Sequence, residues 1–247
     1  LRNKIRQYDI LTKDPIVAQH LPETNWYHYK TLRSMLNKYS MIYLKPNDRS
    51  GGNGVIRVKL INNNRYAISF EKTTKKVDKI NLVPSLKQIM INPPKYIIQQ
   101  GIDLATYHNN PFDMRIVLQK VWGAWRVTLT SAKVASCQDA IVTNVAKGAK
   151  DYLLHKVLQE YDQKQDFMVT FREIIDLSHQ IASVLGNKLP ITIVGLDMAI
   201  DKYGKIWFIE SNEKPECGRC KLVNDILSVE KYEQARNIIK RSQKMVK

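Results

Sequence analysis

Residues 43–60 read YLKPNDRSGGNGVIRVKL. An apolar run ends in Lys45, a loop follows with glycine at 51, 52 and 54, and the next residues alternate apolar and polar. That is a strand, a glycine loop and a second strand. Glycine has no Cβ, so such a loop can bring its backbone close to a phosphate. A Walker P-loop would need its lysine behind the loop and a helix opening there. Here the lysine comes first and a strand follows, the order of a flap that folds over a triphosphate while Lys45 rises from the sheet to meet it. The same letters also read as a plain glycine-rich hairpin turn, and this stretch by itself leaves both readings open.

Upstream of the loop, Asp14-Pro15 is an N-cap followed by proline at the first helical position, with Pro22 closing that short helix. Residues 28–39 carry Leu32, Leu36 and Tyr39 at helical spacing. Downstream, NNNR (62–65) is a turn into the strand YAISF, KTTKK (72–76) is a solvated loop or sheet edge, and KYIIQQGI (95–102) is a strand. DMRIVLQKVWGAWRVTLTSAKVA (113–135) reads as two long strands turning near Gly123. Residues 151–165 are a polar helix. Thr170 and Glu173 form a capping box that opens a further helix, stopped by Gly186 and Pro190. ITIVGLDMAIDKYGKIWFIESN (191–212) is two apolar strands around a Lys-Tyr-Gly turn, and a basic helix capped by Ser228 ends the chain. There is no internal repeat. Antiparallel strand groups alternating with helices predict an α+β protein of two lobes, divided as 1–100 and 101–247.

The two strands around Lys-Tyr-Gly carry the sharpest chemistry. Glu210 and Asn212 are two apart on one strand and point to one face. If Tyr203-Gly204 makes a two-residue turn, Lys202 pairs with Lys205 and Asp197 lies opposite Glu210. Two carboxylates and an amide oxygen then converge on an apolar surface, where like charges repel unless a cation sits among them. Oxygen-only ligands in that number suit Mg²⁺ shared with nucleotide phosphates. A three-residue turn with a bulge would instead send Asp197 and Glu210 to opposite faces. In PFDMRIV, Asp113 and Arg115 share a strand face; the guanidinium either meets an anion bidentately or pairs with Asp113 on an exposed surface. VTNVAKGA offers Asn144 and Lys147 as loop donors. Cys217 and Cys220 have C-x-x-C spacing, but only Cys137 remains as a further thiol, so no zinc site is expected and these read as ordinary thiols. No Ser-His-Asp arrangement stands out among the scattered histidines.

The 247 residues, 44% hydrophobic, suffice for a sizeable core. The apolar runs are too short to span a bilayer, and the opening LRNKIRQYDI lacks the apolar stretch of a signal peptide. With three cysteines the expectation is a reducing, cytoplasmic protein with no membrane partner. Net charge is +16, concentrated early: residues 1–100 hold 18 Lys/Arg against 6 Asp/Glu, and residues 151–229 hold 9 against 12. Such asymmetry suits a polyanionic partner. Nucleic acid is disfavoured, because no reading helix or aromatic platform is visible.

In order, these features are a lysine strand, a glycine flap, YIIQQGI, FDMRIV, TNVAKGA and GLD…IESNEKP. That order resembles the ATP-grasp superfamily, and the wording LRNK, YLKP, IIQQGIDL, PFDMR and VTN is most similar to its endospore-coat-associated YheC/YheD branch. The resemblance runs from Leu1 to about Pro215. It implies the ATP-grasp fold, two α+β lobes with antiparallel sheets gripping ATP between them. Lys45 then matches the lysine on the α- and β-phosphates, Lys4 an upstream nucleotide lysine, and Ser50, Gly51, Gly52 and Gly54 the flap. Gln99, Gln100 and Ile102 fall on the segment bordering adenine, with Asp103 toward the ribose. Arg115 and Lys147 match basic residues beside the transferred phosphate, and Asp197, Glu210 and Asn212 match the Mg²⁺ ligands.

The resemblance further implies an ATP- and Mg²⁺-dependent ligase that activates a carboxylate as an acyl phosphate and joins it to an amine, with an acidic peptide or carrier protein as a fitting acceptor. A small-molecule kinase and a non-catalytic nucleotide-binding coat-type protein are the alternatives. Two departures stand out. The α/β domain that precedes most ATP-grasp cores has no counterpart in these residues. The loop after the metal strand, NEKPECGRC, is charged and thiol-bearing where small residues are usual.

Overall fold

Strand alternation decides which face of each sheet is covered by helices and which carries polar chemistry. The computed structural model describes residues 3–49, 51–143, 147–215 and 217–245. They form two units, residues 3–8 with 22–103, and residues 9–21 with the chain from Leu104 onward. The sequence pattern predicts a single boundary after residue 100. Residues 9–21 group instead with the later unit, where Phe208 donates its N–H to His20 O at 2.8 Å and Gln180 Nε2 donates to Asp14 Oδ2 at 2.8 Å.

The N-terminal unit contains β1 (Thr24–Trp26), α3 (Tyr29–Lys38), β2 (Met41–Pro46), β3 (Ile56–Asn62), β4 (Arg65–Phe70), β5 (Thr73–Asp78), α4 (Leu82–Ile89) and β6 (Tyr96–Gln100). Before them come α1 (Lys4–Leu11), which begins in this unit, and α2 (Pro15–Ala18). The strands form one antiparallel sheet in the order β1-β6-β2-β3-β4-β5. Ile42, Leu44, Val58 and Ile68 point to one face and are fully buried, clustered with Leu32 and Met35 of α3 and Leu86 of α4. Each such side chain removed from water contributes roughly 1.5–3 kcal/mol. Tyr43 and Lys45 therefore point the other way, and the register sets Arg57 and Gln99 on either side of Tyr43. Residues 73–76 of the KTTKK segment lie in β5, the edge strand.

The C-terminal unit contains β7 (Thr106–Tyr107), β8 (Asn110–Val121), β9 (Ala124–Val134), β10 (Lys150–Tyr152), α5 (Leu154–Glu160), α6 (Phe167–Lys188), β11 (Ile193–Ile200), β12 (Ile206–Asn212), α7 (Gly218–Leu222) and α8 (Ile226–Met245). Its antiparallel sheet runs β10-β9-β8-β11-β12, with β7 paired to β8. Along β8, Met114, Ile116 and Leu118 are fully buried on one face. On the other face Val117 packs with Leu129, Cys217, Cys220 and Tyr232, and Gln119 Nε2 donates to Tyr232 O, so α7 and α8 cover that end. Asp113 and Arg115, in phase with Val117, continue the same face as its charged end.

Three helix boundaries differ from the sequence reading. The polar segment 151–165 shortens to α5, because residues 150–152 pair with β9. α6 opens at Phe167: Asp166 accepts the Val169 N–H at 2.9 Å, a stronger cap than Thr170, which lies buried inside the helix. It also runs through Gly186, where a Cβ would stand 2.7 Å from Trp125 Cζ2, so that glycine makes room for a ring rather than ending a helix. At α8 it is Asp225, not Ser228, that caps, accepting the Ser228 N–H at 2.7 Å. Among the described residues no helix is long and apolar enough to cross a membrane.

Candidate active site

In the N-terminal unit the polar sheet face is organised around Lys45. Its Nζ donates to Gln99 Oε1 at 2.6 Å and lies 5.5 Å from the Tyr43 ring centroid. Gln99 is buried and in turn donates to Thr24 Oγ1 at 3.0 Å, which fixes the amide for Lys45. The loop beyond β2 has Gly51, Gly52 and Gly54 at φ +74°, +71° and +75°, a left-handed backbone that other residues rarely adopt. Ser50 lies outside the described residues. Lys4 reaches the base of this loop: its Nζ donates to Pro46 O at 3.3 Å and to Arg49 O. Asn47 Oδ1 accepts the Ile5 N–H at 2.9 Å, so the start of α1 is pinned to the loop entry. Gln100 Oε1 accepts the Glu23 N–H at 3.2 Å, Ile102 is buried, and Asp103 is exposed. Arg57, missed in the sequence, stands beside Tyr43, whose phenol burial pushes up and Arg57 pulls down.

The C-terminal unit gathers its charges on one sheet face. The turn between β11 and β12 is not the two-residue turn that would pair Lys202 with Lys205. Asp201 N–H donates to Lys205 O at 3.0 Å, leaving three residues in the turn. Asp201 Oδ1 also accepts the Tyr203 and Lys205 N–H groups, and its Oδ2 accepts from Trp207 Nε1. A shift of register then follows between Met198↔Phe208 and Asp197↔Glu210. The bulge offsets the longer turn, and Asp197 lies opposite Glu210 after all.

Arg115, opposite Asp197 on β8, donates to both its oxygens, Nε to Oδ1 at 2.6 Å and Nη2 to Oδ2 at 3.1 Å. Lys133 on β9 donates to Asp197 Oδ1 at 3.1 Å and forms an ion pair with Asp113 Oδ1 at 2.8 Å. Thr143 donates to the second Asp113 oxygen. Gly195 makes space for this arrangement: a Cβ there would stand 2.7 Å from Pro215 Cβ and 3.3 Å from Arg115 Cδ.

Burial and charge work against each other here. Burial disfavours the Asp197 carboxylate, but Arg115 and then Lys133 outweigh it and hold the carboxyl below its usual range. For Asp113 burial wins over Lys133 and pushes the carboxyl up to about 6. Burial also opposes the charges on Arg115 and Lys133, yet the surrounding carboxylates raise both above their ordinary values, and Glu210 contributes to the field at Arg115.

Among the expected residues, Arg115, Asp197, Glu210 and Asn212 thus share one face, with Gly195 opposite Asn212. Lys147 is exposed, and Asn144 lies outside the described residues. Lys133, Thr143 and Gly195 were missed. The signal for Lys133 was a lysine among small apolar residues in TSAKVA, in phase with a strand that already carried Asp113 and Arg115. As a metal site, Glu210 and Asn212 offer the oxygen donors that a hard cation takes. Asp197 Oδ1 accepts from Arg115 and Lys133 and Oδ2 from Arg115, three bonds to a carboxylate that offers about four lone-pair sites. No group of three or more His, Cys, Asp or Glu side chains placed for a metal occurs among the described residues.

A family model described as YheC/D like ATP-grasp matches residues 1–242. Endospore coat-associated protein YheD of Bacillus subtilis (strain 168) is 25% identical over 221 residues, 86% of this chain and 48% of YheD. Endospore coat-associated protein YheC of the same organism is 25% identical over 212 residues, covering 83% of this chain and 57% of YheC. The chain thus spans about half the length of these curated relatives. Among solved structures, the ATP-grasp ligase PsnB complexed with minimal precursor has a TM-score of 0.52 at 14% identity, covering 96% of this chain and 60% of PsnB. The L-amino acid ligase from Bacillus licheniformis has a TM-score of 0.52 at 16% identity, covering 90% and 42%. An ADP complex of purK, N5-carboxyaminoimidazole ribonucleotide synthetase, has 0.56 at 10%, covering 87% and 45%. These structural likenesses show the fold.

Proposed function

The chain belongs to the YheC/D-like ATP-grasp family, and from that premise we propose that it is an ATP- and Mg²⁺-dependent ligase that activates a carboxylate as an acyl phosphate and couples it to an amine. The observation that carries the reading is the buried cluster of Asp113, Arg115, Lys133 and Asp197 with Glu210 alongside. Burying an ion costs several kcal/mol even when it is paired. Such a concentration of charge on one sheet face is poorly explained by stability and well explained by a charged ligand.

On this reading Lys45 and the glycine flap take the α- and β-phosphates, Lys4 steadies the flap or reaches the nucleotide itself, and Gln99, Gln100 and Ile102 border the adenine. Glu210 and Asn212, with Asp197, would hold magnesium, which when bound would supply neutralisation of phosphate charge. Arg115 turns its guanidinium to the transferred phosphate, assisted by Lys147. Lys133 stays on Asp197, so that the carboxylate is not left alone when Arg115 moves. A substrate carboxylate oxygen bonds to the γ-phosphorus as the bond to the bridging oxygen breaks, and ADP leaves. The amine nitrogen then bonds to the acyl carbon, phosphate leaves, and the nitrogen gives up a proton. No protein nucleophile is required; the residues position groups and neutralise charge. The acceptor that suits the basic first hundred residues is an acidic peptide or carrier protein in a reducing, cytoplasmic setting. A partner beyond the nucleotide has a parallel in PsnB, solved with a minimal precursor.

The engagement of both Asp197 oxygens favours a second reading, a non-catalytic nucleotide-binding protein of the coat type. The test is ADP release from Mg·ATP against a panel of amino acids, acidic peptides and amines, with Glu210→Gln beside the parent. Release that requires both an acid and an amine, and is lost in the variant, supports the ligase. Release with the acid alone supports a kinase. Tight Mg·ATP binding with no turnover across the panel supports the second reading.

A further inference from the structure

β5 is the outer strand of the N-terminal sheet, and every other residue of an edge strand turns its N–H and C=O away from the sheet. Five of its six residues, Thr73 to Lys76 and Asp78, are exposed; Val77 is buried. A cleft of about 350 Å³ opens at this edge, bounded by β4, β5 and α4. Buried Val77 and buried Ser85 of α4 are among its lining residues, and Lys75, Lys76 and Arg65 stand exposed around them. Arg65 shares its charge with Asp78 at 3.3 Å. Lys75 lies in phase with Val77, on the face toward α4, and Lys76 lies on the opposite face. Both faces of the open edge therefore carry a lysine. Ile80, just beyond the strand, is 84% exposed.

Lysine on an edge strand keeps copies of the same protein from pairing through it. The same charge leaves the edge open to a strand of opposite sign. We infer that β5 is a docking edge for an extended acidic peptide, which adds to the sheet as a further antiparallel or parallel strand and sets carboxylates against Lys75, Lys76 and Arg65. Backbone pairing supplies the affinity, and the cationic cleft selects the sequence. A second copy of this chain is disfavoured by lysine facing lysine. This gives the acidic acceptor of the proposed ligase a place to bind, and to that extent rests on that reading.

The test needs no turnover, so the two ideas fail separately. A fluorescein-labelled Glu-Thr repeat octapeptide is titrated by anisotropy into the full chain. Beside it run a Glu-Thr repeat of equal charge with every backbone amide N-methylated, which lacks the N–H groups needed for pairing, and an oligo-dT octanucleotide. The Glu-Thr peptide is expected to bind roughly tenfold or more tightly than either control, a difference of ~1.4 kcal/mol. It should slow hydrogen exchange within residues 73–78, and the combined Lys75→Glu and Lys76→Glu variant should weaken it by a similar factor. Glu210→Gln should bind the peptide as the parent does. Equal binding of the N-methylated peptide would reduce the effect to charge and overturn the inference. So would indifference to the charge reversal or unaltered exchange in residues 73–78. Tighter binding of the oligonucleotide would assign the cleft to phosphate polymers, and loss of peptide binding in Glu210→Gln would move the peptide to the candidate active site.

Discussion

The two sheet faces that carry the candidate chemistry hold their cations in different ways. In the N-terminal unit Lys45 is oriented by a neutral amide, Gln99 Oε1 at 2.6 Å, itself fixed by Thr24. In the C-terminal unit Arg115 and Lys133 are oriented by carboxylates, at 2.6 to 3.1 Å. An amide gives an ammonium direction, whereas a carboxylate gives direction and opposite charge together. The carboxylate-held cations suit an exchange, in which an arriving anion and dication replace ionic contacts that already exist.

The contrast should be largest in stability. Lys133→Met leaves two buried carboxylates short of a partner and is expected to cost about 3–5 kcal/mol in urea unfolding, while Lys45→Met leaves the buried Gln99 amide oxygen without the Lys45 donor and should cost about 1–3 kcal/mol. Similar losses for the two variants would erase the distinction. Next in size, Gly195→Ala drives a Cβ to 2.7 Å from Pro215 and into Arg115. Overpacking of that kind costs about 1–3 kcal/mol, and calorimetry should find it without any change in the N-terminal face.

How much of this was legible in the sequence differs between the two faces. Strand, glycine loop and strand lie together in eighteen residues, so local pattern sufficed for the elements while leaving the loop's role open. The charged face is assembled across four strands, and Lys133 meets Asp113 and Asp197 only once the order β9-β8-β11 exists. A lysine among the small apolar residues of TSAKVA stands out, but its neighbours in sequence do not name Asp197 as its partner. The pairing of Asp197 with Glu210 was expected for a different reason than the real one, since a three-residue turn and a bulge offset each other. Neither leaves a distinct sequence signature here. Helix starts failed where two caps competed: Asp166 and Asp225 accept N–H groups that Thr170 and Ser228 were expected to serve.

Smaller effects separate structural from functional groups within the C-terminal unit. Asp14 accepts N–H groups from Val17 and Ile16 and an amide from Gln180, and the Val17 bond, then Gln180, hold its carboxyl below the usual range. A lowered folded pKa stabilises the protein above the unfolded value and loses that contribution as pH falls through the folded one. Asp14→Ala should therefore lower stability at neutral pH and flatten the acid limb of a melting-temperature profile. Least of all, exposed Cys137 should react rapidly with a thiol reagent while Cys217 and Cys220 stay slow in the folded protein. Burial raises both of the latter thiols, Cys220 to about 11.

On the proposed function, the amide-held lysine and the carboxylate-bearing sheet contribute separately to nucleotide affinity, the one through phosphate and the other through the metal. Titration of a fluorescent ATP analogue into the parent, Lys45→Met and Glu210→Gln, each with and without Mg²⁺, separates them. Lys45→Met should weaken binding by about tenfold, or ~1.4 kcal/mol, in both conditions. Glu210→Gln should match the parent without the metal and lose the gain that Mg²⁺ brings. Equal affinities for all three proteins in both conditions would contradict the account.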